Sequence, residues 1–443
     1  MKVHVVSKVD NNIHAVTRLD QSSYEQQILL ASSVRVQPLL ITLSSNNLSY
    51  ARGGDLLRWW DTYPVPAELP QPYNDQKSWG IVPAWGYGLV VESTTNIAPG
   101  TILWGFWPTA SMTVTLKLEP CEPKGFWTEV SESRQRLMTI YNSYSEELKI
   151  KIPESIFETR DWTKLSSLVD EDTLKRLSWI SVFRPTWQTG YLLSRHTFTS
   201  NPTVRPPIHP LGINLPWTGA DADISAAVVV SLAASSKTAR SFAYHMFRRD
   251  AVKEGPVGLL QVSQRPELLE SVPGKLGTAI PAKAMGYDQV GESIEWIGRL
   301  RPKKVVVVDF GGRGGALVQF IEGIRAHSIL TEVKTSIIQV GSEQKVYSAD
   351  EITANRDSMK TMGKIQFNTS GVRDAIITHT TAKDFYDQAQ LVWDDWISVS
   401  HDIVPDIQLM VGHGVGGERG IEKGWSKLCQ GMVGTGEGLV YMM

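Results

Sequence analysis

Residues 226–249 read AAVVVSLAASSKTARSFAYHMFRR, and this stretch decides the fold. Its first part, residues 226–232, is a short run of small and β-branched side chains, which predicts a buried parallel strand. Residues 239–249 predict a helix, and a short polar turn joins the two. A strand, a tight turn and a helix in this order are typical of the start of a nucleotide-binding α/β domain.

The turn itself is a candidate phosphate site. The helix N-terminus that follows it offers backbone N–H groups and the positive end of a dipole, which suit an anion. Lys237 adds a full positive charge, and the predicted phosphate-binding residues are Ser235, Ser236, Lys237 and Thr238. The glycines of the G-x-G-x-x-G motif are absent, so the turn by itself does not specify a dinucleotide.

From residue 221 onward, predicted strands and helices alternate. The predicted strands lie at residues 256–263, 286–292, 303–312 and 336–343. This β-α-β order predicts a parallel sheet with right-handed crossovers. Further along, the pattern predicts helices at residues 384–404 and 421–431 and a last strand at 437–443.

The first 200 residues are rich in predicted strands. These lie within residues 1–45 and at 86–92, 101–105 and 109–120. The segment 46–66 predicts a loop, and 131–150 predicts a helix with Ser131 as its N-cap. The Pro-rich segment 201–217 predicts a linker at which the domain changes.

Composition excludes several classes of protein. The chain has 443 residues, a formal net charge of −2 and two cysteines, Cys121 and Cys429. The small net charge argues against a nucleic-acid partner, and the sequence has no apolar run of the roughly 20 residues that a membrane span needs. Two cysteines cannot form a four-cysteine zinc site, and their number predicts reduced thiols in a cytoplasmic protein.

Turns after the other parallel strands extend the candidate site, because ligands bind at the carboxyl ends of such strands. In proteins that bind NADH, an acidic residue after the second strand contacts the free 2′-hydroxyl of the ribose. After the strand at 256–263 this chain has Ser263 and Arg265 instead. A serine and an arginine suit the 2′-phosphate of NADPH, although a solvated surface charge is the alternative for Arg265. Asp309 and Gly311 complete the predicted cofactor set, with Asp309 either capping the next helix or contacting a ligand.

The loop at residues 46–66 concentrates aromatic and charged side chains and is a candidate wall of the active site. The predicted catalytic residues are Tyr50, Asp61 and Tyr63 in this loop and Tyr141 further along. A neutral tyrosine can donate a hydrogen bond to a developing enolate oxygen. Structural packing is the alternative for this loop and for the fifteen tryptophans of the chain.

Several motifs together resemble a known superfamily. They are GDLLRWWDTYP, WGIVPAWGYGLVVES, WGFWP, YNSY, FRPTWQTGYLL, ASSKTA and VVVVDFGG. The layout resembles that of the medium-chain dehydrogenase/reductases of the quinone oxidoreductase and enoyl reductase type. The motifs are similar to those of an uncharacterised branch of that superfamily, known as a domain of unknown function.

The resemblance implies an α/β fold in which a GroES-like β-barrel domain precedes a Rossmann-type parallel-sheet domain. It implies a substrate domain at residues 1–215 with a helical insertion at about 131–200, a Rossmann-like domain at 216–360, and a segment at 361–443 that returns to the first domain. It further implies NADPH as the cofactor, a small apolar substrate and a homodimer. Zinc is not expected, because the chain lacks the cysteines of the zinc-dependent branch.

Three functions agree with these observations. The first is a zinc-independent, NADPH-dependent reductase of an activated alkene or carbonyl in a biosynthetic pathway. The second is a redox-neutral cyclase, isomerase or dehydratase that acts on an apolar, polyketide-like metabolite. A tryptophan-rich cleft suggests this function, and Asp61 and Tyr63 are its first candidate catalytic residues. The third is a binding protein without catalytic activity.

Overall fold

The computed structural model describes residues 1–20, 28–159, 164 and 167–443. The chain forms two compact units, which we call the barrel unit and the sheet unit. The barrel unit comprises Met1–Val182, Gln344–Tyr347 and Ile407–Met443, and the sheet unit comprises Phe183–Glu343 and Ser348–Asp406.

The elements are numbered along the chain. The strands are β1 (Lys2–Ser7), β2 (His14–Arg18), β3 (Ser33–Leu43), β4 (Trp79–Gly80), β5 (Pro83–Ser93), β6 (Thr101–Pro108), β7 (Val114–Cys121), β8 (Phe126–Glu129), β9 (Ser143–Lys149), β10 (Ala227–Leu232), β11 (Gly258–Val262), β12 (Ala282–Met285), β13 (Lys304–Asp309), β14 (Lys334–Gln339), β15 (Lys364–Gln366), β16 (Gln408–His413) and β17 (Glu437–Met442). The α-helices are α1 (Ser45–Arg52), α2 (Glu154–Thr159), α3 (Glu171–Leu192), α4 (Gly219–Ala222), α5 (Lys237–Phe247), α6 (Val272–Lys275), α7 (Val290–Arg299), α8 (Ala316–Ala326), α9 (Ala349–Thr361), α10 (Thr369–His379), α11 (Ala382–Ile403) and α12 (Ile421–Cys429).

The barrel unit is built on a closed antiparallel sheet. Its strands follow the order β3-β5-β6-β9-β8-β7, and β7 pairs back with β3. All eleven residues of β3 are buried, as expected for a strand that pairs on both sides and carries the chain through the barrel wall. The C-terminal strand β17 extends the sheet by pairing with β3, and β16 lies beside β17.

Two local predictions in the barrel unit are wrong. The predicted helix at 131–150 consists of 3₁₀ turns at Glu132–Arg134 and Thr139–Asn142 followed by β9, because β9 pairs with β6 and β8 and completes the barrel. The predicted loop at 46–66 begins with α1. Ser44 caps α1 by accepting the N–H of Asn46 at 3.3 Å, while the Ser44 N–H donates to Oδ1 of Asn47 at 2.7 Å.

The sheet unit contains a six-stranded parallel sheet in the order β12-β11-β10-β13-β14-β15. Counted from β10, this is the order 3-2-1-4-5-6 of the Rossmann fold, which confirms the predicted fold class. The apolar runs of β10 and β13 are buried along their whole length, which is why both could be recognised in the sequence. The third strand was expected at 286–292 but lies at Ala282–Met285, because residues 290–299 form α7 instead.

One face of this sheet is covered by α7 and α8. Ile297 of α7 and Phe320 of α8 are fully buried against Val305 and Val307 of β13. Burial of such side chains contributes roughly 1.5–3 kcal/mol each to folding, so this layer fixes the sheet that carries the candidate site. Among the helices of the described residues, we find none with the length and apolar character that crossing a membrane requires.

Candidate functional site

The carboxyl ends of the parallel strands lie in one row. Leu232 of β10 is in register with Val262 of β11 and with Asp309 of β13. Val262 is in turn level with Met285 of β12, and Asp309 with Gln339 of β14. The residues that follow these strands therefore share one edge, which we call the strand-end edge. Doubly wound sheets bind ligands at this edge, where the strand order reverses between β10 and β13.

The turn after β10 leads directly into α5. Ala233 adopts a left-handed conformation with φ of +56°, which is uncommon for a non-glycine residue. Its N–H donates to the hydroxyl of Tyr287 at 3.1 Å. Ser236 is the N-cap of α5 and accepts the N–H of Ala239 at 3.3 Å, so Lys237 and Thr238 are the first two residues of the helix. The predicted phosphate-binding residues thus surround a helix N-terminus.

Two of the predicted residues form a buried hydroxyl pair. The hydroxyl of Ser263 donates to Oγ of Ser235 at 2.8 Å and accepts the N–H of Arg265 at 3.0 Å. Ser263 is fully buried and Ser235 is 4% exposed. These hydrogen bonds join the turn after β10 to the turn after β11, so the two serines determine the shape of the edge.

An ion pair holds the same turn from the other side. Arg240 of α5 donates through Nε to the carbonyl oxygen of Ser235 at 3.0 Å. Its two terminal nitrogens donate to the two carboxylate oxygens of Asp406 at 2.6 and 2.8 Å. The Arg240 side chain is 5% exposed, so this bidentate pair is shielded from water.

The predicted 2′-phosphate residue Arg265 is an exposed side chain whose charge is compensated. Its Nε donates to a carboxylate oxygen of Glu267, two residues further along the chain. Hydrogen bonding to Glu267 raises the pKa of Arg265, and the same contact lowers the pKa of Glu267. A phosphate at Arg265 would therefore compete with a carboxylate that is already in place.

Asp309 anchors a glycine-rich loop. Its Oδ1 accepts the N–H groups of Gly311 and Gly312 at 2.9 and 2.7 Å. Gly311 has a φ of +115°, and a Cβ there would lie 2.6 Å from the Ser342 carbonyl oxygen. Burial raises the pKa of Asp309. Asp309 thus caps this loop and not the next helix, α8, whose N-cap is Gly315.

Two residues at the strand-end edge were missed by the sequence analysis. Arg313, in the segment FGGRGG at 310–315, donates through Nη1 to Oε1 of Gln264 at 3.2 Å. Tyr287, after β12, accepts the N–H of Ala233. The signal for Arg313 was present in the sequence, because a cation flanked by pairs of glycines follows the most apolar strand of the chain.

The chemistry of this edge fits a dinucleotide phosphate. Partly exposed hydroxyl and amine groups at Ser236, Lys237 and Thr238 surround the N-terminus of α5, and Arg313 adds a guanidinium. The Oδ1 atom of Asp309 accepts two backbone N–H groups, which compensate part of the negative charge of its carboxylate. Hydrogen-bond donors and positive charge at a helix N-terminus are what a pyrophosphate requires.

Two of the predicted catalytic tyrosines meet in an aromatic cluster of the barrel unit. The rings of Tyr50 and Tyr141 are 5.7 Å apart, and both lie against Phe106. Nε1 of Trp85 donates to the Tyr50 hydroxyl at 3.1 Å. Burial raises the pKa of Tyr50 to about 12 and raises that of Tyr141 well above its usual value. Both phenols are therefore neutral at pH 7.

Tyr63 belongs to a second, buried group. Its hydroxyl donates to the carbonyl oxygen of Phe106 at 2.6 Å, and the hydroxyl of Tyr144 reaches the same oxygen at 3.1 Å. The guanidinium of Arg134 lies 4.5 Å from the centre of the Tyr63 ring and donates to Tyr144 at 2.8 Å. These contacts place Tyr63 among packing residues of the barrel.

Asp61 is not part of either tyrosine group. Its Oδ2 lies 2.6 Å from Nη2 of Arg58, in an ion pair that is about one third exposed on both sides. The structure therefore brings Tyr50 and Tyr141 together but not Asp61 and Tyr63. It offers no observation in favour of the redox-neutral function that was assigned to the latter pair.

The fold is that of a GroES-like barrel domain combined with a Rossmann-type domain. The structure is similar to the crystal structure of CurA in complex with NADPH from Vibrio vulnificus, with a TM-score of 0.51, 9% sequence identity, and coverage of 100% of this chain and 99% of that chain. It is also similar to the CurK enoyl reductase, with a TM-score of 0.47, 10% identity, and coverage of 99% of both chains. Comparison with curated proteins gave no significant match. The family model described as "Protein of unknown function (DUF2855)" matches residues 41–434.

Proposed function

This chain belongs to the family of proteins of unknown function DUF2855, and we propose that it is a zinc-independent, NADPH-dependent reductase of an activated alkene or carbonyl. The observation that supports this most directly is the strand-end edge. A parallel sheet in the order 3-2-1-4-5-6 presents hydroxyl groups, an amine and a helix N-terminus where its strand order reverses. CurA, which shares the fold, is described in complex with NADPH.

The residues of the turn after β10 would hold the pyrophosphate. Ser236, Lys237 and Thr238 would donate to it from the N-terminus of α5, which carries partial positive charge. Ser235 and Ser263 fix the turn through their shared hydrogen bond. Asp309 and Gly311 would shape the opposite wall, where the absence of a side chain at Gly311 leaves room for the carbonyl oxygen of Ser342.

Tyr50 is the residue that we assign as proton donor. NADPH, when bound, supplies a hydride that reduces the substrate carbon. The substrate then gains negative charge on its carbonyl oxygen, and a neutral phenol can donate a proton there and be reprotonated by water. Trp85 orients the Tyr50 hydroxyl by donating to it, and the neighbouring phenol of Tyr141 is the second candidate.

The aromatic cluster predicts the kind of substrate. Trp85 and Trp104 stack with ring centres 5.6 Å apart and planes 9° from parallel, and Trp85 is partly exposed. Such a surface favours flat, apolar molecules, because stacking replaces water on both partners. An α,β-unsaturated carbonyl compound with an apolar chain meets this description.

Nucleotide binding to the purified protein tests the proposal. Titration calorimetry with NADPH and NADH should show binding to the wild type, and Lys237→Ala should weaken it about tenfold, equivalent to about 1.4 kcal/mol. The matched control is Lys253→Ala, since Lys253 is an exposed lysine beyond the C-terminal end of α5. Binding of neither nucleotide to the wild type would overturn the proposed function.

A further inference from the structure

We infer that Arg313 binds the 2′-phosphate of NADPH and thereby selects NADPH over NADH. This inference rests on the proposed function, because it assigns one part of the same nucleotide site. It replaces the exposed Arg265 as the residue expected to carry this specificity.

The position of Arg313 supports the assignment. Its loop follows β13, and its guanidinium donates to Gln264, which follows β11, at 3.2 Å. Because β10 lies between β11 and β13, the Arg313 side chain reaches across the end of β10. In Rossmann folds the residues after the second strand, here β11, recognise the substituent at the ribose 2′ position. The charge of Arg313 therefore lies beside the turn after β11, where a 2′-phosphate would bind.

The electrostatic surroundings of the two arginines differ. Arg265 forms an ion pair with Glu267. Arg313 has the neutral amide of Gln264 as its hydrogen-bond partner, and no carboxylate of the described residues lies within ion-pair distance of it. A phosphate can accept two parallel N–H groups from a guanidinium, and at Arg313 it would displace an amide instead of a carboxylate.

The loop that carries Arg313 can adapt to a ligand. Glycines flank Arg313 on both sides, and a Cβ at Gly314 or Gly315 would meet open space. The base of the loop is nevertheless fixed, because Asp309 accepts the N–H groups of Gly311 and Gly312. The loop is thus held in place before Arg313 by Asp309, and it has open space around it after Arg313.

Titration calorimetry on the full-length protein tests the inference without any turnover assay. The ligands are NADPH, NADH, adenosine 2′,5′-bisphosphate and 5′-AMP. We expect Arg313→Ala to lower the affinity for NADPH and for the bisphosphate at least tenfold. The affinities for NADH and 5′-AMP should change less than twofold. Arg313→Lys should retain part of the preference, since an ammonium group keeps the charge but not the planar pair of donors.

Arg265→Ala is the matched control, because it removes an arginine from the same edge. Circular dichroism and thermal unfolding of each variant check that it folds as the wild type does. If Arg313→Ala leaves the NADPH-to-NADH preference intact, or if Arg265→Ala abolishes it, the inference is overturned while the proposed function stands. If the wild type binds none of the four ligands, the proposed function itself fails.

Discussion

The hydroxyl of Ser263 donates to Oγ of Ser235 at 2.8 Å, although the two serines are 28 residues apart and lie in turns that follow different strands. Ser263 also accepts the N–H of Arg265, so one buried side chain joins two turns of the strand-end edge. The shape of the candidate cofactor site therefore depends on hydrogen bonds between two turns that are distant in the sequence.

Removal of this hydroxyl should destabilise the protein. Ser263→Ala leaves a buried serine oxygen and a backbone N–H without their partner, which typically costs about 1–3 kcal/mol. Urea unfolding measures the change in the free energy of unfolding. Ser231→Ala is the control, because Ser231 is fully buried and its hydroxyl has no hydrogen-bond partner among the described residues. Equal losses in both variants would contradict the role of Ser263.

The Arg240–Asp406 ion pair should contribute strongly to stability. Asp406→Asn removes the negative charge from a bidentate pair whose arginine is 5% exposed, and loss of one partner of such a pair costs about 3 kcal/mol. Chemical denaturation at pH 7 gives the difference. Glu267→Gln, which breaks the exposed ion pair with Arg265, should leave the midpoint almost unchanged, because water screens that pair. A comparable shift in the two variants would show that burial does not govern their strength.

The assignment of Tyr50 predicts a loss of turnover without a loss of binding. Once a reducible substrate is known, Tyr50→Phe should lower kcat by about 10²–10⁴-fold, the usual contribution of a general acid. Tyr63→Phe should lower stability but leave the kcat of the folded protein unchanged, because its hydroxyl donates to the Phe106 carbonyl. The opposite pattern would transfer the catalytic role to Tyr63.

The raised pKa of Tyr50 also predicts that the folded protein loses stability at alkaline pH. The phenol ionises near pH 10 in the unfolded chain and at about 12 in the folded protein. The folded state therefore holds this proton more tightly, and the resulting stabilisation is present below pH 10 and lost as the pH rises toward 12. In Tyr50→Phe, unfolding midpoints between pH 9 and pH 11 should fall less steeply than in the wild type.

Acid should destabilise the barrel unit through a histidine pair. Nε2 of His4 lies 3.0 Å from Nδ1 of His14, whose Nε2 lies 3.0 Å from Oγ of Ser426. Burial lowers the pKa of His4 to about 3, and burial also lowers that of His14, against the opposing effect of Glu422. The unfolded chain binds protons at these histidines near pH 6.5, so stability is full above that pH and falls below it.

Urea unfolding at pH 7.5 and pH 4.5 measures this change in the free energy of unfolding, which we expect to be about 3 kcal/mol for His4. In His4→Gln the difference between the two pH values should shrink, because an amide does not titrate. The exposed His413 provides the comparison, and His413→Gln should retain the wild-type difference. An unchanged difference in His4→Gln would exclude His4 as a source of acid sensitivity.

The amino-acid sequence determined the fold class through patterns that are local. Residues 226–232 and 303–312 are apolar because β10 and β13 are covered on both faces, and the alternation of strands and helices follows from that burial. The ends of these strands are visible in the sequence as a change from apolar to polar side chains. The positions of Ser263 and Asp309 at the strand-end edge therefore follow from the sequence alone.

Tertiary structure decided the features that depend on distant partners. Residues 143–149 have a polar composition compatible with a helix, and they form β9 because β6 and β8 need a strand between them. Arg313 meets Gln264 across 49 residues of chain, and no local pattern specifies that contact. Hydrogen bonds and ion pairs at the site are set by the register of β10, β11 and β13, which exists only once the sheet has formed.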